Sequence, residues 1–350
     1  MSIRSLLDLV IDKKASDLHL VARSMPKIRI DGELVSTGNI ILTPNDIEEI
    51  CLPLLDDEQK SELKSSKELD FSIDLGKSGR FRANYYYTMN GELSAAFRMI
   101  PFQTPTLDDI YAPQILFDLA KKQKGLILVT GATGSGKSTT LAAILNEINQ
   151  NQNKHIITIE DPVEFIHTSK NSLFSHRNVG SDTKSFTRAL KYALREDPDV
   201  ILVGEMRDKE TMAMTIEAAQ TGHLVFATLH TSSAVGSINR IIDSFGGSDQ
   251  AYIRSSLASS LIAIISQNLL PKINGGRIAL FEIMLNNIAI SNLIREGKTH
   301  QILSQMQIGS AQTGMRIMAN EIQKALNENL ISKEVAMQFN ATNLNIMEHN

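Results

Sequence analysis

The 350-residue chain contains no tryptophan and a single cysteine, Cys51. One thiol can form neither an internal disulfide nor a four-thiolate zinc site, so Cys51 is expected as a small buried apolar side chain. Basic charge is not in excess. Lys and Arg number 35 against 39 Asp and Glu, a formal net charge of -4, with a pI of about 6.1. With no dense Lys/Arg run, this argues against a nucleic-acid machine, and no nucleic-acid partner is expected. No segment is apolar for long enough to span a bilayer. The most apolar late stretch, Leu257 to Pro271, is interrupted by Ser259, Ser260, Ser266 and Gln267. It is expected to be a buried helix. Residues 1–14 mix Arg4, Asp8, Asp12 and Lys13 with apolar residues, the texture of an amphipathic helix and not of a signal peptide. A cytoplasmic location follows as the expectation.

What is present suffices for one or two globular domains, since 42% of the residues are hydrophobic. Residues 1–100 predict a small α+β domain. A helix over 2–14 precedes strands at 17–21 and 27–35, the second bent at Asp31-Gly32. Thr43-Pro44-Asn45-Asp46 opens a helix, with Thr43 as cap and Pro44 in the first turn. Strands return at 70–75, 80–88 and 92–100. Pro101, Pro105 and Pro113 mark a linker over 101–113. From 114 to 350 the texture is α/β, with strands at 125–130, 155–160, 200–204 and 224–229. Helices at 138–148, 185–196 and 209–220 alternate with them, and the last hundred residues look mostly helical. Such alternation implies a parallel sheet, whose ligands gather at the carboxyl ends of its strands.

One motif dominates. Gly131-Ala132-Thr133-Gly134-Ser135-Gly136-Lys137-Ser138 follows a predicted strand and opens a predicted helix. The glycines let backbone N–H groups turn inward around phosphate oxygens, and the helix aims its positive end at the same charge. Lys137 reaches the β- and γ-phosphates. The Ser138 hydroxyl is the candidate Mg²⁺ ligand, and Thr139 completes the loop. The expected cofactors are ATP and Mg²⁺.

A hydrolytic site also needs a carboxylate to activate water. Glu205 follows the apolar run Ile201-Leu202-Val203 and is the best candidate. The acid that usually precedes it is replaced by Gly204, so the metal must lean on Ser138, water and Asp161. Asp161 and Glu164 lie in a second acidic segment, 160–164. His223 and His230 fall at opposite ends of one predicted strand, and only His230 lies at its carboxyl end. Joint zinc ligation is not expected, because no third ligand is nearby.

In the first domain, Arg80, Arg82 and Asn84 alternate with Phe81, Ala83 and Tyr85, while Arg98 lies opposite Phe97 and Met99 in the next strand. A three-residue loop, Met89-Asn90-Gly91, keeps the faces consistent and sets Arg82 against Arg98. Two like charges in register are unfavourable without an anion between them. A γ-phosphate from a neighbouring subunit would supply one, as arginine fingers do.

Taken together, the phosphate loop, the acidic box at 160–164, the segment 193–208 ending in Gly204-Glu205-Met206-Arg207-Asp208 and the histidine box at 221–231 resemble the type II/type IV secretion ATPase family. The resemblance covers nearly the whole chain and is closest to the branch that retracts type IV pili in twitching motility. It implies a PAS-like first domain, a RecA-like second domain and a homohexameric ring with ATP between domains. It further implies that Arg82 and Arg98 complete the site, and that an inner-membrane pilus platform protein and a second retraction ATPase are partners. A peripheral position at the inner membrane follows, and an assembly or secretion motor is the alternative. The segment 289–302 resembles the retraction branch's C-terminal element, with Ser291 where Arg is usual. Gly314-Met315 persists, but Met318-Ala319 replaces the usual Leu-Asp or Phe-Asp pair.

Overall fold

The computed structural model describes residues 2–30, 32–76, 79–100 and 103–339. Three expectations, the bend at Asp31, the start of the linker at 101–102 and the assignment of 340–350 to the second domain, lie outside the described residues. The chain divides into two compact units between Gln103 and Thr104.

The first unit holds α1 (Ile3–Asp12), β1 (Asp17–Leu20), β2 (Lys27–Ile30), β3 (Glu33–Ser36), α2 (Pro44–Cys51), α3 (Asp57–Ser66), β4 (Glu68–Asp74), β5 (Arg80–Tyr87) and β6 (Leu93–Ile100). Its sheet has the order β3-β2-β1-β6-β5-β4 and is antiparallel throughout. The expected single bent strand over 27–35 is instead the hairpin β2–β3. Helix α2 begins with the predicted cap: Thr43 Oγ1 accepts from Asp46 N–H at 3.2 Å, and Asp46 reaches back to Thr43 N–H at 2.7 Å. Phe81, Tyr85 and Phe97 are fully buried. Tyr85 meets Phe71 and Phe97 edge-on at 4.9 and 5.8 Å between ring centroids. Each such side chain contributes about 1.5–3 kcal/mol by leaving water. Cys51 is buried among them, and burial pushes its thiol up to about 12, so it behaves as an inert apolar group.

The second unit holds α4 (Gln114–Ala120), β7 (Gly125–Thr130), α5 (Lys137–Asn151), β8 (His155–Glu160), β9 (Leu173–Asn178), α6 (Phe186–Ala193), β10 (Val200–Val203), α7 (Lys209–Gln220) and β11 (Leu224–Leu229). There follow α8 (Ala234–Asp243), α9 (Asp249–Ser260), β12 (Leu261–Pro271), β13 (Arg277–Leu285), α10 (Ile288–Arg295), α11 (Ile302–Thr313) and α12 (Met318–Asn327). The seven-stranded sheet runs β13-β12-β7-β11-β10-β8-β9, parallel except for the edge pair β12–β13. Strand β7, buried at every position, lies inside it.

Three differences from the sequence reading have physical causes. Most of the stretch 257–271 is not a buried helix: α9 ends at Ser260, and Leu261–Pro271 is a strand paired with both β7 and β13. The last hundred residues, expected to be mostly helical, therefore carry a long antiparallel hairpin between α9 and the helices that follow. A short apolar run buried on both faces carries no period that separates helix from strand. Here the β-branched Ile262, Ile264 and Ile265 and the turn at Gly275-Gly276, both at positive φ, decide. Strand β9 was missed because LFSHRN is a polar edge strand without an apolar pattern. Finally, much of the expected linker is not a free connection. Leu107 is buried in the core of the second unit, with Ile110 and Ala112 packed beside it, and Thr106 and Asp109 cap the turn between them.

Candidate nucleotide site

The phosphate loop springs from the end of β7 and feeds α5, whose first turn begins at Gly136-Lys137. Two glycines are there for space as well as for φ. A Cβ on Gly131 (φ +145) would lie 2.4 Å from the Gln267 carbonyl oxygen, and one on Gly136 (φ +89) 2.7 Å from Gln267 Nε2. Lys137 is buried, and its Nζ donates to the carbonyls of Gly131 and Ala132 at 2.8 and 3.0 Å. Burial holds its ammonium below the usual range, while Glu164 and Glu205 push the other way. The Lys137 charge is thus met by two loop carbonyls and by the two carboxylates nearby. Within the loop, Thr133 and Gly134 are exposed, Ser135 is buried, and Ser138 and Thr139 are half-buried.

The predicted acids and the histidine gather at the same carboxyl edge. Glu205 lies just past β10 with its side chain 15% exposed. It is ion-paired with Arg207, and its Oε2 is 3.6 Å from Nε2 of His230, which follows β11. Asp161 and Glu164 follow β8, where Asp161 acts electrostatically on Arg207 and Glu164 on Lys137. His223, at the opposite end of β11, bonds the Ala218 carbonyl at 3.0 Å and belongs to a turn.

At Gly204, where an acid is usual, the neighbouring strand runs close. Its N–H donates to the Ile159 carbonyl at 2.8 Å, and a Cβ would meet that oxygen at 3.1 Å and Glu160 Cα at 3.2 Å. Glu160 itself was not singled out from the sequence. It walls a cavity of about 30 Å³ with Ser138, Thr158, His167, Gly204 and Thr228. Burial pushes its carboxyl up to about 7, against hydrogen bonds from Thr158 and the Glu164 N–H. His167 stacks on Phe174 at 4.5 Å, and neither ring nitrogen has a hydrogen-bond partner among the described residues. Burial, with the charges of His176 and Lys170, pushes its imidazole down to about 3, so it is neutral at physiological pH.

Among the described residues, no group of three or more His, Cys, Asp or Glu could hold a metal ion. One hydroxyl, Ser138, beside the acid-walled cavity fits Mg²⁺, which takes one or two protein oxygens and completes its shell with phosphate oxygens and water.

The two arginines lie on the first unit's sheet. Arg82 is opposite Arg98 in the register expected from the three-residue loop. The anion is already provided, however. Arg82 pairs with Asp70 of β4 at 3.2 Å and Arg98 with Asp17 of β1 at 2.9 Å. The expectation that this pair requires a phosphate is corrected: strand order places a carboxylate beside each guanidinium, and strand order could not be seen in the sequence.

The sequence profile of the family described as "Type II/IV secretion system protein" matches residues 2–337. The chain belongs to that family. It is 43% identical over 338 residues to the type IV pilus retraction ATPase PilT of Pseudomonas aeruginosa, covering 97% of this chain and 98% of the relative. It is 45% identical over 317 residues to a twitching motility protein of Neisseria gonorrhoeae, covering 90% and 84%. A crystal structure described as the pilus retraction motor PilT with bound ADP superposes with a TM-score of 0.90 at 44% identity, covering 97% of this chain and 96% of that one. The chain is a secretion ATPase with an α+β first unit and a RecA-like second unit. Gln267 and His167 escaped the motif reading because they come from a strand and a loop outside the motifs, and Glu160 was read only as the first residue of the acidic box. The one available signal was Ser266-Gln267, two polar residues inside an otherwise apolar run.

Proposed function

We propose that this protein is a motor ATPase that hydrolyses ATP with Mg²⁺ to retract a type IV pilus. The observation that carries the reading is the convergence of Lys137, Glu205 and His230 at one sheet edge beside the phosphate loop, in a chain that aligns end to end with a pilus retraction ATPase. In this reading the loop 131–136 and Lys137 hold the phosphates, Thr139 supports them from the first turn of α5, and Ser138 holds the metal. Glu205 takes a proton from the attacking water. His230 and Arg207 orient the Glu205 carboxylate, and Asp161 and Glu164 set the charge around it. Arg82 and Arg98 leave their aspartates to meet the nucleotide of a neighbouring copy in a homohexamer. Work is delivered to a platform protein at the inner membrane, alongside a second retraction ATPase, and the motor stays on the cytoplasmic side.

The test is a count of surface pili in a strain of the source organism lacking the gene, complemented with wild type or with Glu205→Ala. More pili and no surface movement, rescued by wild type alone, is the expected result. Cells without pili would make this an assembly motor, and unchanged pili would remove it from the pilus machine.

A further inference from the structure

We propose that Gln267 is a positioning residue: from β12 it holds the phosphate loop in its anion-binding shape. The proposal rests on the nucleotide reading of the loop. Strand β12 runs parallel to β7 with Ser266 opposite Thr130, so Gln267 stands level with Gly131, where the strand becomes the loop. Its carbonyl oxygen closes the space at Gly131, and its side chain crosses to the far end of the loop at Gly136. There Nε2 donates to the Ser135 carbonyl at 2.7 Å, and Oε1 accepts from Thr140 Oγ1 at 2.6 Å. The orientation of the amide is unambiguous, because a carbonyl oxygen can only accept and the NH₂ end must face Ser135. The residue is 2% exposed, so these bonds are made without competition from solvent.

The consequence for binding is geometric. In a trans peptide the C=O and the next N–H point in opposite directions. Drawing the Ser135 carbonyl toward β12 therefore turns the Gly136 N–H away from it, toward the loop interior where a phosphate oxygen would sit. A loop with glycines at 131, 134 and 136 has many shapes available. Anchoring both ends to a strand of the sheet raises the share of molecules already in the binding shape, and apparent affinity scales with that share. Among the described residues, the side-chain hydrogen bonds of Gln267 run to the loop and to the first turn of α5, while its backbone belongs to the β12 ladder.

The experiment uses the full chain and fluorescently labelled ADP as the probe, with steady-state ATP turnover and thermal melting alongside. Gln267→Met keeps the length and packing and removes the donor and acceptor. It is expected to weaken ADP binding and raise KM on the order of tenfold, with kcat at saturating ATP within about threefold of wild type. A structural role alone would lower the melting temperature and the active fraction while leaving KM unchanged. Thr140→Val approaches the contact from the other side, serves if the methionine variant does not fold, and should weaken ADP binding about threefold. Wild-type affinity in both variants, or a lower melting temperature with unchanged KM, overturns the proposal. Failure of the wild-type protein itself to bind ADP would sink the nucleotide reading instead.

Discussion

Gly131→Ala and Gly134→Ala change the same loop by the same methyl group, yet the structure separates them sharply. At Gly131 the new Cβ lands 2.4 Å from the Gln267 carbonyl oxygen and 2.5 Å from Ser135 Oγ, at a φ of +145. The hydroxyl can rotate away. The carbonyl is backbone of β12, which is laced to β7 on one side and β13 on the other. The unfavourable φ costs about 1–3 kcal/mol and the overpacking about 1–3 kcal/mol. Together that is about 2–6 kcal/mol, or roughly thirty-fold to twenty-thousand-fold in affinity if the loop is displaced to relieve it. At Gly134 the φ is +79 and nothing lies within 4 Å. Only the left-handed cost of about 1–2 kcal/mol applies there, roughly five- to thirty-fold. The assay is titration of both variants with fluorescently labelled ADP, with melting of the nucleotide-free protein to show that each folds. The expected gap between the two dissociation constants is on the order of fifty-fold, from the midpoints of the two ranges. Affinities within threefold of each other would refute the reasoning, since the close approach of β12 would then impose nothing on the loop.

Glu205→Gln should lower ATP turnover by about a hundred- to ten-thousand-fold while ADP binding is kept, because only the proton acceptor is lost. Turnover near that of wild type, read by phosphate release, would remove Glu205 as the base. His167→Phe tests the buried imidazole through pH. Because the folded protein holds this pKa down to about 3, its stabilising effect is complete above the ordinary value of 6.5 and is lost as pH falls toward 3. Wild type should lose about 1.4 kcal/mol per pH unit relative to the phenylalanine variant below pH 6, so that urea midpoints measured at pH 7 and pH 5 diverge. Asp17→Asn removes a carboxylate whose side chain is 10% exposed and bonded to Ser16 and Arg98. It should destabilise the first unit by about 1–3 kcal/mol, read by chemical denaturation. Equimolar mixing of Arg98→Ala with Glu205→Gln protein should restore turnover above that of either alone, if the arginine serves a neighbouring copy. No recovery at any ratio would confine it to its own subunit or leave it without a catalytic part.

Much of the site was legible because its motif is contiguous. The strand Gly125–Thr130, the glycine-spaced loop and Lys137 on a helix follow one another in the chain, so local chemistry alone specifies them. Placing Glu205 and His230 at the same edge needed only the rule that alternating strands and helices build a parallel sheet. The arginine register was legible because alternation of apolar residues admits one hairpin that keeps both faces consistent. Residues 261–271 were misassigned because the run Leu261–Ile265 is apolar and mostly buried, and burial on both faces erases the period that separates a helix from a strand.

The sequence by itself determined a glycine-spaced loop between strand and helix on a parallel sheet, the acids at its edge and a separate α+β unit ahead of it. Each of these follows from residues close together in the chain or from a repeating pattern. Tertiary structure alone decided what those residues meet. It put β12 beside β7 and so brought Gln267 across the loop, set β8 close against Gly204, and gave Arg82 and Arg98 an aspartate each. These are contacts between strands distant in sequence, governed by strand order, and strand order leaves no trace in any single segment of the chain.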